Sequence, residues 1–167
     1  KVRPAVAVLA SALDDNAGGV RVAALRSIGQ VGTHLRQKGE ASNALTVISQ
    51  AVRHDPRDDT LHHERGKTLL AIDQPRDART ELELATRLNP DRALYWMDLG
   101  LACRGAGDPR AALDAFRVAA RLDPAEATIH ANLASLHCDL EHYADAADEA
   151  RTALRLNPDF VDLLPIL

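Results

Sequence analysis

Apolar and polar positions recur on two scales. At the short scale, Leu94, Met97 and Leu101 form one stripe and Trp96, Leu99, Gly100 and Cys103 another, the three-to-four-residue recurrence of an α-helix. Gly105, Gly107, Asp108 and Pro109 interrupt it: glycine ends helices, aspartate caps a new amino terminus and proline fits its first turn. Ala112, Leu113, Phe116, Ala119, Ala120 and Leu122 then form the apolar side of a second helix, which Asp123-Pro124 stops, because proline disfavours a helical residue before it. The phrase predicts two helices joined by a tight turn.

At the long scale, prolines stand at 56, 90, 124 and 158, each step 34 residues, and close the phrases Ala-Val-Arg-His-Asp-Pro, Ala-Thr-Arg-Leu-Asn-Pro, Ala-Ala-Arg-Leu-Asp-Pro and Ala-Leu-Arg-Leu-Asn-Pro. Small residues keep the same step, in the series Gly32, Gly66, Gly100, Ala134 and Ala44, Ala78, Ala112, Ala146 and Ala51, Ala85, Ala119, Ala153. A glycine inside a helix costs about 1 kcal/mol against alanine. Glycines in register therefore predict a backbone closely approached by a neighbouring helix, with Ile48, Leu82 and Phe116 filling the space.

The run Trp96-x2-Leu99-Gly100-x2-Cys103, then Ala112-x3-Phe116-x2-Ala119-x4-Pro124, resembles the tetratricopeptide repeat, with Cys103 in place of the usual tyrosine. In that frame four repeats span 25–58, 59–92, 93–126 and 127–160. The second has Arg65 where the third has Leu99, and the fourth has His130 and His137 where the third has Trp96 and Cys103. Residues 1–24 form a lead-in that resembles either a HEAT-repeat junction, through Val20-Arg21-Val22-Ala23-Ala24, or a degenerate tetratricopeptide helix. Residues 161–167 read as the start of a further, truncated helix; Leu163, Leu164, Ile166 and Leu167 lack the polar outer face of a terminal cap, so the chain is expected to be a fragment of a longer array. The resemblance implies an all-α fold, a right-handed superhelix of antiparallel helix pairs.

Composition narrows the function. Apolar residues make up 46% and charged residues 26% of the 167 positions, which disfavours disorder. Aromatics at 3% disfavour an all-β fold. A net charge of −4 argues against nucleic acid, whose binding needs a basic face. No stretch reaches the roughly 20 apolar residues of a membrane span. Two cysteines cannot build a disulfide framework. The chain starts at Lys1, so a missing leader says little about location; the cytoplasm is the default expectation.

The search for chemistry is negative. His63-Glu64 is followed by Lys67 where a zinc-protease helix needs histidine, and Gly66-Lys67-Thr68 has Leu61 where a phosphate loop needs glycine. His130, His137, Cys138 and His142 lack the short paired spacings of structural zinc. No metal, cofactor or catalytic constellation is expected.

By family resemblance, the first helix of each repeat lines a concave face. Its second position gives Arg26, Thr60, Leu94 and Thr128, its fifth Gly29, His63, Met97 and Ala131, and its sixth Gln30, Glu64, Asp98 and Asn132. Its ninth gives Thr33, Lys67, Leu101 and Ser135, and its twelfth Arg36, Leu70, Arg104 and Cys138. The sixth-position row carries a side-chain carbonyl in every repeat, suited to the backbone amides or basic side chains of an extended peptide. Leu94, Met97 and Leu101 add an apolar strip. Gly29 and Thr33 replace two residues of the family's carboxylate clamp for chaperone tails, which disfavours that ligand. The expected function is a non-catalytic scaffold binding a peptide or protein surface. The alternatives are a regulatory or substrate-recruiting segment of a larger enzyme, and self-association through the apolar tail.

Overall fold

The computed structural model describes residues 41–166. The lead-in, the whole first-helix segment of the first repeat, with Gln30, Gly32 and Arg36, and Leu167 lie outside the described residues. Seven α-helices are described, with no strand: α1 Ala41–His54, α2 Asp59–Ala71, α3 Pro75–Leu88, α4 Ala93–Gly105, α5 Pro109–Leu122, α6 Ala127–Asp139 and α7 Tyr143–Leu156. The starts of α2, α4 and α6 (59, 93, 127) and of α1, α3, α5 and α7 (41, 75, 109, 143) each advance by 34 residues, the interval of the prolines.

Local chemistry sets these boundaries. Asp58 accepts from the Thr60 and Leu61 amides to start α2, and Asp108 accepts from the Ala111 amide to start α5. Pro75 and Pro109 open α3 and α5, where a missing amide proton is no loss. Asn89, Asp123 and Asn157, each before a proline, end their helices at φ −141°, −138° and −140°. The turns inside the helix pairs share another device. Asp73, Gly107 and Glu141, in equivalent places, have φ of 59°, 83° and 61°. The next amide then reaches back five residues: Gln74 N to Leu69 O, Asp108 N to Cys103 O and His142 N to His137 O, each at 2.9 Å.

The chain divides into two compact units, Lys1–Asn89 and Pro90–Leu167. In the first, α2 packs on α1 and α3, and Ala44, Ile48, Leu61, Ala78, Leu82 and Ala85 are buried. In the second, α4 pairs with α5 and α6 with α7, and α5 packs on α6; Tyr95, Phe116, Ile129, Leu133 and Leu136 are its largest fully buried side chains. Burying each contributes about 1.5–3 kcal/mol. The two mid-helix glycines behave as expected. A Cβ on Gly66 would stand 2.5 Å from Leu82 Cγ, and one on Gly100 would stand 2.5 Å from Phe116 Cε1. Cys103 is buried as a small apolar residue.

Residues 161–166, read as the start of a further helix, form a 3₁₀ helix, Val161–Ile166, with Pro165 inside it. Leu163 is buried against Ala134, Ala150 and Ala153, with Phe160 and Ile166 packed beside it. Part of the apolar tail is thus covered by its own repeat, while Val161 and Leu164 stay exposed. Among the described residues no helix is long and apolar enough to cross a membrane.

Candidate functional site

In the second unit the expected groove residues converge in part. Leu94 and Met97 of α4, Thr128 and Ile129 of α6, and Asp123 and Glu126 of the intervening turn line one cleft of about 190 Å³ with Ala93. Leu94 is 48% exposed, and Met97 is half-buried. The cleft thus has an apolar wall and two carboxylates at its edge. The Asp123 carboxylate accepts from the Ala125 amide at 3.2 Å, and Glu126 accepts from the Thr128 amide at 3.0 Å. Bonding to Thr128, through its side chain first and its backbone second, holds the Glu126 carboxyl below its ordinary value.

Arg104 and Ser135 are also brought together. Arg104 Nη2 donates to Ser135 Oγ at 3.0 Å and pairs with Asp139 Oδ2 at 2.7 Å, tying α4 to α6. Leu101 and Asn132 are half-buried and do not line the cleft. Asp98 is buried, at 7% exposure.

In the first unit, Lys67 Nζ donates to Glu64 Oε1 at 3.2 Å, and His63 Nδ1 lies 3.9 Å from the same oxygen. His63 is 3% exposed. This trio is a cluster of charged and polar side chains on α2, with Lys67 outermost. Arg65, in the place held by Leu99 one repeat later, pairs through Nη1 with Glu81 Oε1 at 3.2 Å.

The histidines separate by environment. His62 Nδ1 lies 2.8 Å from Glu81 Oε2 and its Nε2 3.1 Å from Pro56 O; His130 Nδ1 lies 2.7 Å from Glu149 Oε2 and its Nε2 3.1 Å from Pro124 O. Both are engaged at both nitrogens. His137 is buried, and its Nδ1 has no hydrogen-bond partner. Burial pushes its imidazole below the ordinary histidine value, against the pull of the Asp145 carboxylate.

Sequence reasoning missed Asp123, Glu126 and Ile129 as lining residues. Asp123 was legible only as helix punctuation and Glu126 carried no signal, although the turn before each first helix lies beside that helix's opening residues.

A tetratricopeptide-repeat profile matches residues 63–127. No curated protein matches the sequence. Among solved structures, YrrB, described as a tetratricopeptide-repeat protein with an unusual peptide-binding site, superposes with a TM-score of 0.75 at 21% identity, covering 98% of this chain and 82% of that one. A MamA crystal structure gives 0.73 at 23%, covering 80% and 78%. MamA from Desulfovibrio magneticus RS-1, residues 41 to the end, gives 0.71 at 25%, covering 82% and 77%. The likeness carries the fold: all-α, built from repeated helix pairs.

Proposed function

From the tetratricopeptide-repeat profile that matches residues 63–127, we propose that this chain is a non-catalytic interaction scaffold that docks an extended peptide or protein segment. The observation that carries this reading is the cleft of Leu94, Met97 and Ile129 edged by Asp123 and Glu126. An occupant with an apolar side chain next to a lysine or arginine matches it. Burying that apolar group is worth about 1.5–3 kcal/mol before ordering is subtracted, and the carboxylates favour the neighbouring cation. Because the wall is made of helices rather than loops, little ordering falls on the receptor. The peptide-binding description of YrrB supports the class of ligand.

The test is selection from a random peptide library on the immobilised chain. Enriched sequences should pair an apolar with a basic residue and bind Leu94→Lys about tenfold or more weakly. Leu94 is half exposed, so the variant should keep its helical circular dichroism. Peptides without that pairing, or unchanged affinity for a folded Leu94→Lys, would refute the reading.

A further inference from the structure

The turn between α6 and α7 carries a second constellation, unrelated to the cleft. The backbone bond that closes the turn fixes three side-chain places around it: the residue giving the carbonyl, the residue five later giving the amide, and one three further on. In the second repeat these are Leu69, Gln74 and Asp77, and in the third Cys103, Asp108 and Ala111. In the fourth they are His137, His142 and Asp145, and one ligand atom from each lies within 4.8 Å of the others. It is the one such group among the described residues.

Two features mark this group as more than a chance gathering. His137 is 4% exposed, and its Nδ1 is buried with no hydrogen-bond partner, a state that native structures rarely leave uncompensated. Asp145 Oδ2 stands 3.9 Å from that nitrogen, too far for a hydrogen bond but inside the roughly 4.2 Å that two ligands each about 2.1 Å from one ion can span. The His142 ring lies 5.6 Å from the His137 ring, tilted by 46°, so the two are not stacked face to face. His142 and Asp145 are exposed and free to close on an ion by rotation, while His137 is held by packing.

We propose that His137, His142 and Asp145 bind a divalent first-row transition ion of the zinc type. Two imidazole nitrogens and one carboxylate oxygen suit zinc, cobalt or nickel, whereas magnesium and calcium prefer all-oxygen sets. Water completes the coordination. The bound ion satisfies the buried nitrogen and ties the end of α6 to the start of α7. The paired spacings of zinc motifs are absent from the sequence because the turn, rather than one helix face, assembles the ligands. His130 takes no part, since Glu149 and the Pro124 carbonyl occupy both its nitrogens.

The test is calorimetric titration of the metal-free full chain with zinc alone, beside thermal melts with and without zinc. His142→Ala and Asp145→Asn change exposed side chains, and their folding is checked by circular dichroism. The expected result is one zinc per chain and a raised Tm, with affinity at least about tenfold lower in each variant, the scale on which even outer-shell losses act, and the Tm rise lost. Cobalt should give the visible absorption of a four-coordinate site, abolished in His142→Ala. No heat and no Tm change in the parent chain would overturn the proposal. So would zinc binding that persists unchanged in both variants, which would assign it to other histidines.

Discussion

His62, Trp96 and His130 hold one place in three successive repeats, and each directs a ring nitrogen at the carbonyl of the proline six residues earlier, at 3.1, 2.7 and 3.1 Å. An imidazole has a second nitrogen to satisfy and an indole does not. Nineteen residues on stand Glu81 and Glu149 for the histidines but Ala115 for the tryptophan. The choice at one place therefore sets the choice at the other. Glu81→Ala should destabilise the chain by about 3 kcal/mol, because it strands His62 and removes the partner of Arg65. Adding His62→Trp should restore part of that loss, with a coupling of about 1–3 kcal/mol in a double-mutant cycle read by urea unfolding; strict additivity would refute the link. The sequence placed His130 in the slot of Trp96, yet its carboxylate partner was not legible, since the pairing crosses a helix pair. The Gly66 and Gly100 approaches were legible, because a glycine in mid-helix is itself a signal.

At the level of the element, helix starts and stops were readable because they rest on local chemistry: Asp108 as a cap, Pro109 in a first turn, and Asp123 before Pro124; Asp58 and Pro75 use the same devices one repeat earlier. The turns inside the helix pairs were readable only at Gly107. Asp73 and Glu141 adopt the same left-handed backbone without glycine, at a cost of about 1–2 kcal/mol each that aspartate relieves better than glutamate. Glu141→Gly should therefore raise metal-free stability by about 0.5–1 kcal/mol, and Asp73→Gly by less; thermal melts decide, and a fall in Tm for Glu141→Gly would contradict the argument. The start of α6 adds a pH dependence. Its cap, Glu126, has a carboxyl lowered from 4.5 by its bonds to Thr128. The unfolded chain then takes up the proton first as pH falls, so this contribution is complete above about pH 4.5 and lost as pH drops through the lower folded value. Glu126→Gln should flatten that part of the acid side of the Tm–pH curve; an unchanged curve would exclude the contribution.

For the whole molecule, periodicity carried the reading. The 34-residue interval of the prolines is the interval of every described helix start, and the division into two units falls at the Asn89-Pro90 step. Four repeats of one phrase made the all-α fold legible without any single decisive residue. The candidate site was legible only in outline. Family geometry placed Leu94, Met97 and Thr128 together, as they are in the cleft, but it could not foresee that Asp98 would be buried or that Arg104 would be spent on Ser135 and Asp139. Those outcomes depend on which neighbour each side chain meets.

The slot shared by His62, Trp96 and His130 also bears on how such a chain can be rearranged. Its two halves lie on the two helices of one pair, so exchanging a single helix between the third repeat and the second or fourth would bring an imidazole opposite alanine or leave a carboxylate facing an indole. Shuffling whole pairs keeps each match intact. Wherever the third repeat takes part, the smallest unit that gene duplication or chimera design can move without a mismatch at this slot is therefore the complete 34-residue module.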